Sequence, residues 1–97
     1  MAAGFQALSE PIRLQAISLL RQQELCVCDL RSAIPNVSQS KLSFHLKVLR
    51  EAELVRTRQQ GRWIYYSLNL EQFALLEQYL VDLRSATQPT LPTRLCC

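Results

Sequence analysis

The stretch from Ile34 to Leu68 constrains the fold more than any other part of the chain. It opens with Ile34-Pro35-Asn36-Val37, a turn, and continues as Ser38-Gln39-Ser40-Lys41-Leu42-Ser43-Phe44-His45-Leu46-Lys47-Val48-Leu49-Arg50-Glu51-Ala52. Ser38 is a good N-cap, because its hydroxyl can accept an orphan backbone N–H of the first turn. Val37 before it and Leu42 after it are spaced for a hydrophobic staple. Leu42, Leu46 and Leu49 recur at helical spacing, which predicts one buried face. The other side carries Gln39, Ser40, Lys41, Ser43, Phe44 and Lys47. Short polar groups with a cation at the start of a helix suit entry into a DNA major groove.

The next residues extend this reading. Leu54-Val55-Arg56-Thr57-Arg58 is a short β-type run, and Gln59-Gln60-Gly61 is a turn holding one of only two glycines. Arg62-Trp63-Ile64-Tyr65-Tyr66-Ser67-Leu68 is a second run, rich in aromatic and β-branched residues. Alternation puts Ile64, Tyr66 and Leu68 on one face. Arg56, Arg58 and Arg62 crowd the hairpin tip. A capped helix followed by an arginine-tipped hairpin is the layout of a winged helix-turn-helix, whose wing holds DNA backbone or minor groove. Charge agrees with it. Six basic and two acidic residues lie between Ser38 and Arg62, whereas the whole chain of 97 residues has a net charge of only +3. The basic patch sits on the predicted reading head.

The flanking segments read as support. A first helical signal covers about residues 3–8, with Phe5 and Leu8 on one side. Ser9 is the expected cap of a second helix, with Pro11 in its first turn, where the missing N–H costs nothing. Ile12, Ala16, Leu19 and Leu20 give that helix a buried stripe. Leu25-Cys26-Val27-Cys28-Asp29-Leu30 then opens a short helix from about Val27 to Ile34, with Leu30, Ala33 and Ile34 inward. Cys26 falls at its N-cap and Asp29 at N3. Cysteine is a poor cap. A broken local rule is where function is sought.

Asn69 is placed to cap a last helix from about Leu70 to Ser85. Phe73, Leu76, Leu80 and Leu83 repeat along it. A domain this small has its core from the middle helices. The surplus stripe, with Phe5 and Leu8, therefore predicts a homodimer interface. Residues 1–85 form the expected domain, and residues 86–97 read as a mobile tail ending in Cys96 and Cys97. The expected fold class is α+β and mainly helical: a winged helix-turn-helix with a two-stranded β-hairpin wing, dimerising through its N- and C-terminal helices. No apolar run is long enough to span a membrane. The N-terminus has no signal-type pattern, which points to the cytoplasm. There, four cysteines read as thiols or metal ligands rather than a disulfide scaffold. An enzyme is not expected: there is no Cys-x-x-Cys pair, phosphate-binding glycine loop or histidine beside a nucleophile.

Three motifs in this order carry a resemblance. They are Leu25-Cys26-Val27-Cys28-Asp29-Leu30, the segment Ser38 to Arg50, and Gln60-Gly61-Arg62-Trp63-Ile64-Tyr65-Tyr66. Over roughly residues 5–83 the chain resembles the ArsR/SmtB metal-sensing repressors, most closely the arsenical-responsive ArsR branch. The resemblance implies a dimeric winged-helix repressor that binds operator DNA without metal and leaves it when a thiophilic ion binds. The branch pattern is Cys-x-Cys-x-x-Cys, and its third cysteine falls here at Arg31. Cys96 or Cys97 could replace it. Zinc-sensing members use histidine and acidic ligands on the last helix, which has no histidine here.

Chemistry points the same way. Backbone N–H groups and the helix dipole are expected to favour the Cys26 and Cys28 thiolates. Soft thiolates select soft ions. Trivalent arsenic or antimony takes three sulfurs, which Cys26, Cys28 and one tail cysteine can supply. Zinc would want four ligands, which all four cysteines could provide. His45 reads as a packing or phosphate-contacting residue. The leading expectation is a repressor released by As(III) or Sb(III), bound to double-stranded operator DNA at an imperfect inverted repeat. The DNA-contacting set is Ser38, Gln39, Ser40, Lys41, Ser43, Phe44, Lys47, Arg56, Arg58 and Arg62. The alternative is a thiol-redox sensor of the same fold, joining Cys26 or Cys28 to Cys96 or Cys97 by a disulfide. A protein-binding use of the winged helix ranks third.

Overall fold

The computed structural model describes residues 1–86. The order of elements is α1 (Ala2–Ala7), α2 (Pro11–Leu20), β1 (Leu25–Cys26), α3 (Val27–Ala33), α4 (Gln39–Glu51), β2 (Val55–Gln60), β3 (Trp63–Leu68) and α5 (Leu70–Ser85). This is a mainly helical winged helix-turn-helix. The two-stranded wing expected from the sequence is part of a larger sheet. A third strand, β1, pairs antiparallel with β3, and the spatial order is β1-β3-β2. Leu25 lies opposite Tyr66 and Cys26 opposite Tyr65.

Helix α4 forms as the sequence predicts. Ser38 Oγ accepts the Lys41 backbone N–H at 3.2 Å. Leu42, Leu46 and Leu49 are buried, with His45 beside them on the same face. The helix ends in a Schellman motif: Glu53 N–H donates to Arg50 O and Leu54 N–H to Leu49 O, each at 3.0 Å. Glu53 adopts the left-handed φ of 62° that the motif requires. Leu54 and Val55 then enter the core directly. Strand β2 runs two residues further than expected, so Gln59 and Gln60 pair with Ile64 and Trp63. The loop is Gly61-Arg62, and the φ of 62° at Gly61 suits a two-residue hairpin turn.

Two caps differ from expectation. Helix α2 is capped by Glu10, whose carboxylate accepts the Arg13 N–H at 3.1 Å. Ser9 instead donates its hydroxyl to Gln6 O at 2.6 Å, closing the end of α1. Pro11 does occupy the first turn. Asn69 stands at the N-cap of α5 but makes no side-chain cap bond. Its Nδ2 donates to Glu53 O at 2.8 Å, tying α5 to the end of α4.

The core joins α1, α2, α3, α4 and the start of β2 with Leu76, the one fully buried side chain of α5 among the described residues. Leu76, expected at the subunit interface, is a correction: it is only 3% exposed and packs within the protomer. Gly4 explains how. A Cβ there would lie 3.1 Å from Leu76 Cδ2, so the absent side chain lets α1 and α5 approach. Phe5, Leu8 and Phe73 are half-buried against the same core. Leu75, Tyr79, Leu80 and Leu83 remain exposed along α5. Ala33, expected inward, is exposed too, and Leu30 and Ile34 carry that face of α3.

A part-buried polar cluster around the buried His45 locks α4 to the α1–α2 elbow. Arg13 Nε donates to Ala7 O at 2.6 Å, and its Nη1 reaches His45 Nδ1 at 3.0 Å. His45 thus packs rather than facing phosphate. Arginine has no acceptor, so Nδ1 accepts and the neutral ring carries its proton on Nε2. Burial lowers the His45 pKa first. Glu10, 3.6 Å from Nδ1, opposes it, and Arg13 and Lys41 add to the lowering. The net direction is down. The unfolded chain therefore binds this proton more readily than the folded one. The His45 contribution is complete above the unfolded histidine pKa of about 6.5 and declines as pH falls below it. Melting temperature should drop on going from pH 7 to pH 5.5, and His45→Gln should flatten that slope. Equal slopes would show that the ring does not control it.

Candidate functional site

Cys26 belongs to two elements at once. It is the last residue of β1 and the N-cap of α3. Its backbone N–H donates to Asp29 Oδ2 at 3.2 Å, and its thiol approaches the same oxygen at 3.1 Å. Asp29 thus supplies the N3 half of a capping box, as the spacing predicts. The expected effect on the thiol is corrected. The Asp29 backbone N–H does favour the thiolate, and the Cys28 N–H adds to it. The hydrogen-bonded Asp29 carboxylate and partial burial outweigh both and raise the Cys26 pKa. Cys26 is buried, and Cys28, inside the first turn of α3, is exposed.

Both cysteines open onto one cleft of about 220 Å³, whose other walls are Val27, Arg62, Trp63 and Ile64. The β1–β3 pairing creates this neighbourhood, since Cys26 lies opposite Tyr65, two residues beyond Trp63. Cys96 and Cys97 lie outside the described residues. Among the described residues no group of three or more His, Cys, Asp or Glu side chains is placed to hold a metal ion. The donor set in view is two sulfurs. Arg31 turns away to Gln39, with Nη1 3.5 Å from Oε1.

The residues expected from the sequence to contact DNA lie on α4 and the wing. Ser38, Gln39, Ser40, Lys41, Ser43, Phe44 and Lys47 are all exposed, Phe44 to 58%. Arg56, Arg58 and Arg62 are exposed as well. Two of the wing arginines already hold carboxylates. Arg56 meets Glu71 at 2.8 Å. Arg58 forks onto Glu24 at 2.7 and 3.1 Å and lies 4.9 Å from the Tyr65 ring centroid. The Arg58 hydrogen bond lowers the Glu24 pKa. This Glu24 clamp, two residues before Cys26, has no signal in the sequence, because its partners stand 34 positions apart. Such exposed, solvent-screened pairs hold the arginines only weakly, so phosphate can compete for them.

The pattern described as "bacterial regulatory protein, arsR family" matches residues 10–57. An arsenical resistance operon repressor of Staphylococcus xylosus is 40% identical over 83 residues, covering 86% of this chain and 79% of that protein. The chain belongs to the ArsR family. That family is one of DNA-binding transcription regulators, not of enzymes. A transcriptional repressor SmtB homolog of a Synechocystis strain is 52% identical over 68 residues, which are 70% of this ArsR-family chain and 51% of that relative. The chain thus spans about half the length of that relative. The solution structure of a homodimeric winged helix-turn-helix domain from Mycobacterium bovis, a possible ArsR-family regulator, superposes with a TM-score of 0.67. It is 26% identical, over 93% of this chain and 86% of that one. No helix among the described residues of this ArsR-family protein is long and apolar enough to cross a membrane.

Proposed function

We propose that this chain is a dimeric transcriptional repressor that leaves its operator when trivalent arsenic or antimony binds Cys26 and Cys28. One observation carries the reading: Cys26 ends the strand paired with the wing and also caps the helix that precedes α4. A ligand that draws both sulfurs to one centre must break the Cys26–Asp29 capping bond. It then strains α3, which reaches α4 through the short turn at Asn36, and it pulls on β1, which is bonded to β3. Both DNA-holding elements are thereby addressed. A tail cysteine would complete a three-sulfur site. The arsenical resistance repressor among the relatives supports the choice of ion.

On DNA, Gln39, Ser40 and Ser43 would meet base edges, and Lys41, Lys47 and the wing arginines would hold phosphate. Lys47→Ala should weaken binding to all sequences alike and reduce the salt dependence by about one ion. Gln39→Ala should instead change which operator bases matter, by ~1–3 kcal/mol for a bidentate contact. Fluorescence anisotropy on promoter DNA measures both. Wild-type binding by both variants would mean that another face meets DNA. The same assay, titrated with arsenite, tests release.

A further inference from the structure

The wing arginine Arg58 is fully engaged within the protomer. Its Nε and Nη2 fork onto the two carboxylate oxygens of Glu24 at 3.1 and 2.7 Å, and its Nη1 donates to Gln60 Oε1 at 2.7 Å. Each guanidinium nitrogen thus has an acceptor. Below the guanidinium lies the Tyr65 ring, its centroid 4.9 Å away, which holds the cation over its face. Sheet topology explains the reach. In the order β1-β3-β2, Tyr65 of β3 lies opposite Arg58 on one side and Cys26 on the other. Glu24 immediately precedes β1. The ion pair therefore crosses the sheet over Tyr65 and straps the β1 end to β2. Arg56 provides the contrast. It meets Glu71 through one contact at 2.8 Å, and the Glu71 side chain is 84% exposed against 34% for Glu24.

We propose that Glu24 is an internal rival of DNA phosphate for Arg58: a positioning residue that holds the arginine across the sheet in the free protein and gives it up on DNA. The inference rests on the reading that the wing arginines hold phosphate. A carboxylate and a phosphodiester each present two anionic oxygens to the same planar fork, so the Nε–Nη2 edge serves one or the other. The pair is open to solvent, with the Arg58 side chain 50% exposed, so a duplex reaches it. Water and salt screen the pair and leave it weak. Counterions released from the duplex favour the exchange. Opening the strap costs the same on any sequence, because phosphate carries no sequence information. Glu24 therefore lowers affinity for operator and for other DNA alike. It also unties the β1 end of the sheet from β2 when the wing engages.

The test is a double-mutant cycle in the full chain, read by anisotropy over a salt series. The probes are a labelled duplex from the chain's own promoter and a scrambled duplex of equal length. Arg58→Gln should weaken binding to both and reduce the salt slope by about one ion per protomer. Glu24→Gln should strengthen binding to both a few-fold. In the Arg58→Gln background the same change should gain nothing, since the rivalry has lost its object. Glu71→Gln removes an equal charge beside a wing arginine held by one open contact, and it should gain less. Weaker binding by Glu24→Gln would mean that the carboxylate props Arg58 toward DNA, and an equal gain in both backgrounds would mean a diffuse charge effect. Either result overturns the proposal, as does an unchanged affinity. Should Arg58→Gln itself bind with wild-type affinity and salt slope, Arg58 holds no phosphate, and that part of the proposed function falls instead.

Discussion

Cys26→Ser and Cys28→Ser proteins should bind operator as wild type does and stay bound when arsenite is added. Serine at position 26 keeps the cap, since its hydroxyl can make the same bond to Asp29 and is a better N-cap than a thiol. What is lost is the soft donor. In the wild-type chain a hundredfold drop in operator affinity requires ~2.7 kcal/mol of coupling. Breaking the capping box and straining the first turn of α3 supplies energy of that order, about 1–3 kcal/mol. Tension along β1, whose residues pair with Tyr65 and Tyr66 of the wing, adds a second path. Reciprocity gives an independent check: operator DNA should weaken arsenite binding by the same factor. Anisotropy with and without arsenite measures the first effect, and calorimetry with and without DNA the second. If the double variant lets go of DNA as readily as wild type, the sensor lies elsewhere.

Leu80→Glu should yield monomers whose operator affinity is down by a factor of 10² or more. The size follows from the loss of two-site binding, worth about 10²–10⁴ in avidity. Leu80 is 52% exposed in the protomer, so the substitution does not disturb the core. In a dimer built on the open face of α5, the same charge would be buried without a partner. Leu75, Tyr79 and Leu83 share that face, and Tyr79 leans on Phe5 with ring centroids 5.8 Å apart. Two recognition helices joined in this way would meet successive major grooves about 34 Å apart, which is why the operator should be an inverted repeat. Sedimentation velocity reads the assembly state, and Leu76→Ala serves as the contrast. That variant should lose about 2–5 kcal/mol of fold stability through a core cavity. A dimeric Leu80→Glu protein would rule this face out.

Much of the local structure is written in neighbouring residues. Ser38 and the spacing of Leu42, Leu46 and Leu49 determine α4, because capping and periodicity act within a few residues. Leu70–Ser85 reads correctly as a helix through its periodicity, although the Asn69 side chain does not cap it. Gly61 marks the wing loop, and Cys26 with Asp29 marks the start of α3. Tertiary structure decided the rest. A two-residue strand has no period, so β1 exists only because β3 offers it a partner some forty residues away. Glu10 and Ser9 are both able to cap α2, and the choice follows from Gln6 O taking the Ser9 hydroxyl. Leu76 and Leu80 belong to one apolar stripe. Periodicity shows that the stripe is apolar but not what covers it, and only the gap left by Gly4 assigns Leu76 to the core. The Cys26 thiol makes the same point in electrostatics. Its place at a helix start predicts a lowered pKa, yet the folded position of one carboxylate oxygen, 3.1 Å away, reverses the sign.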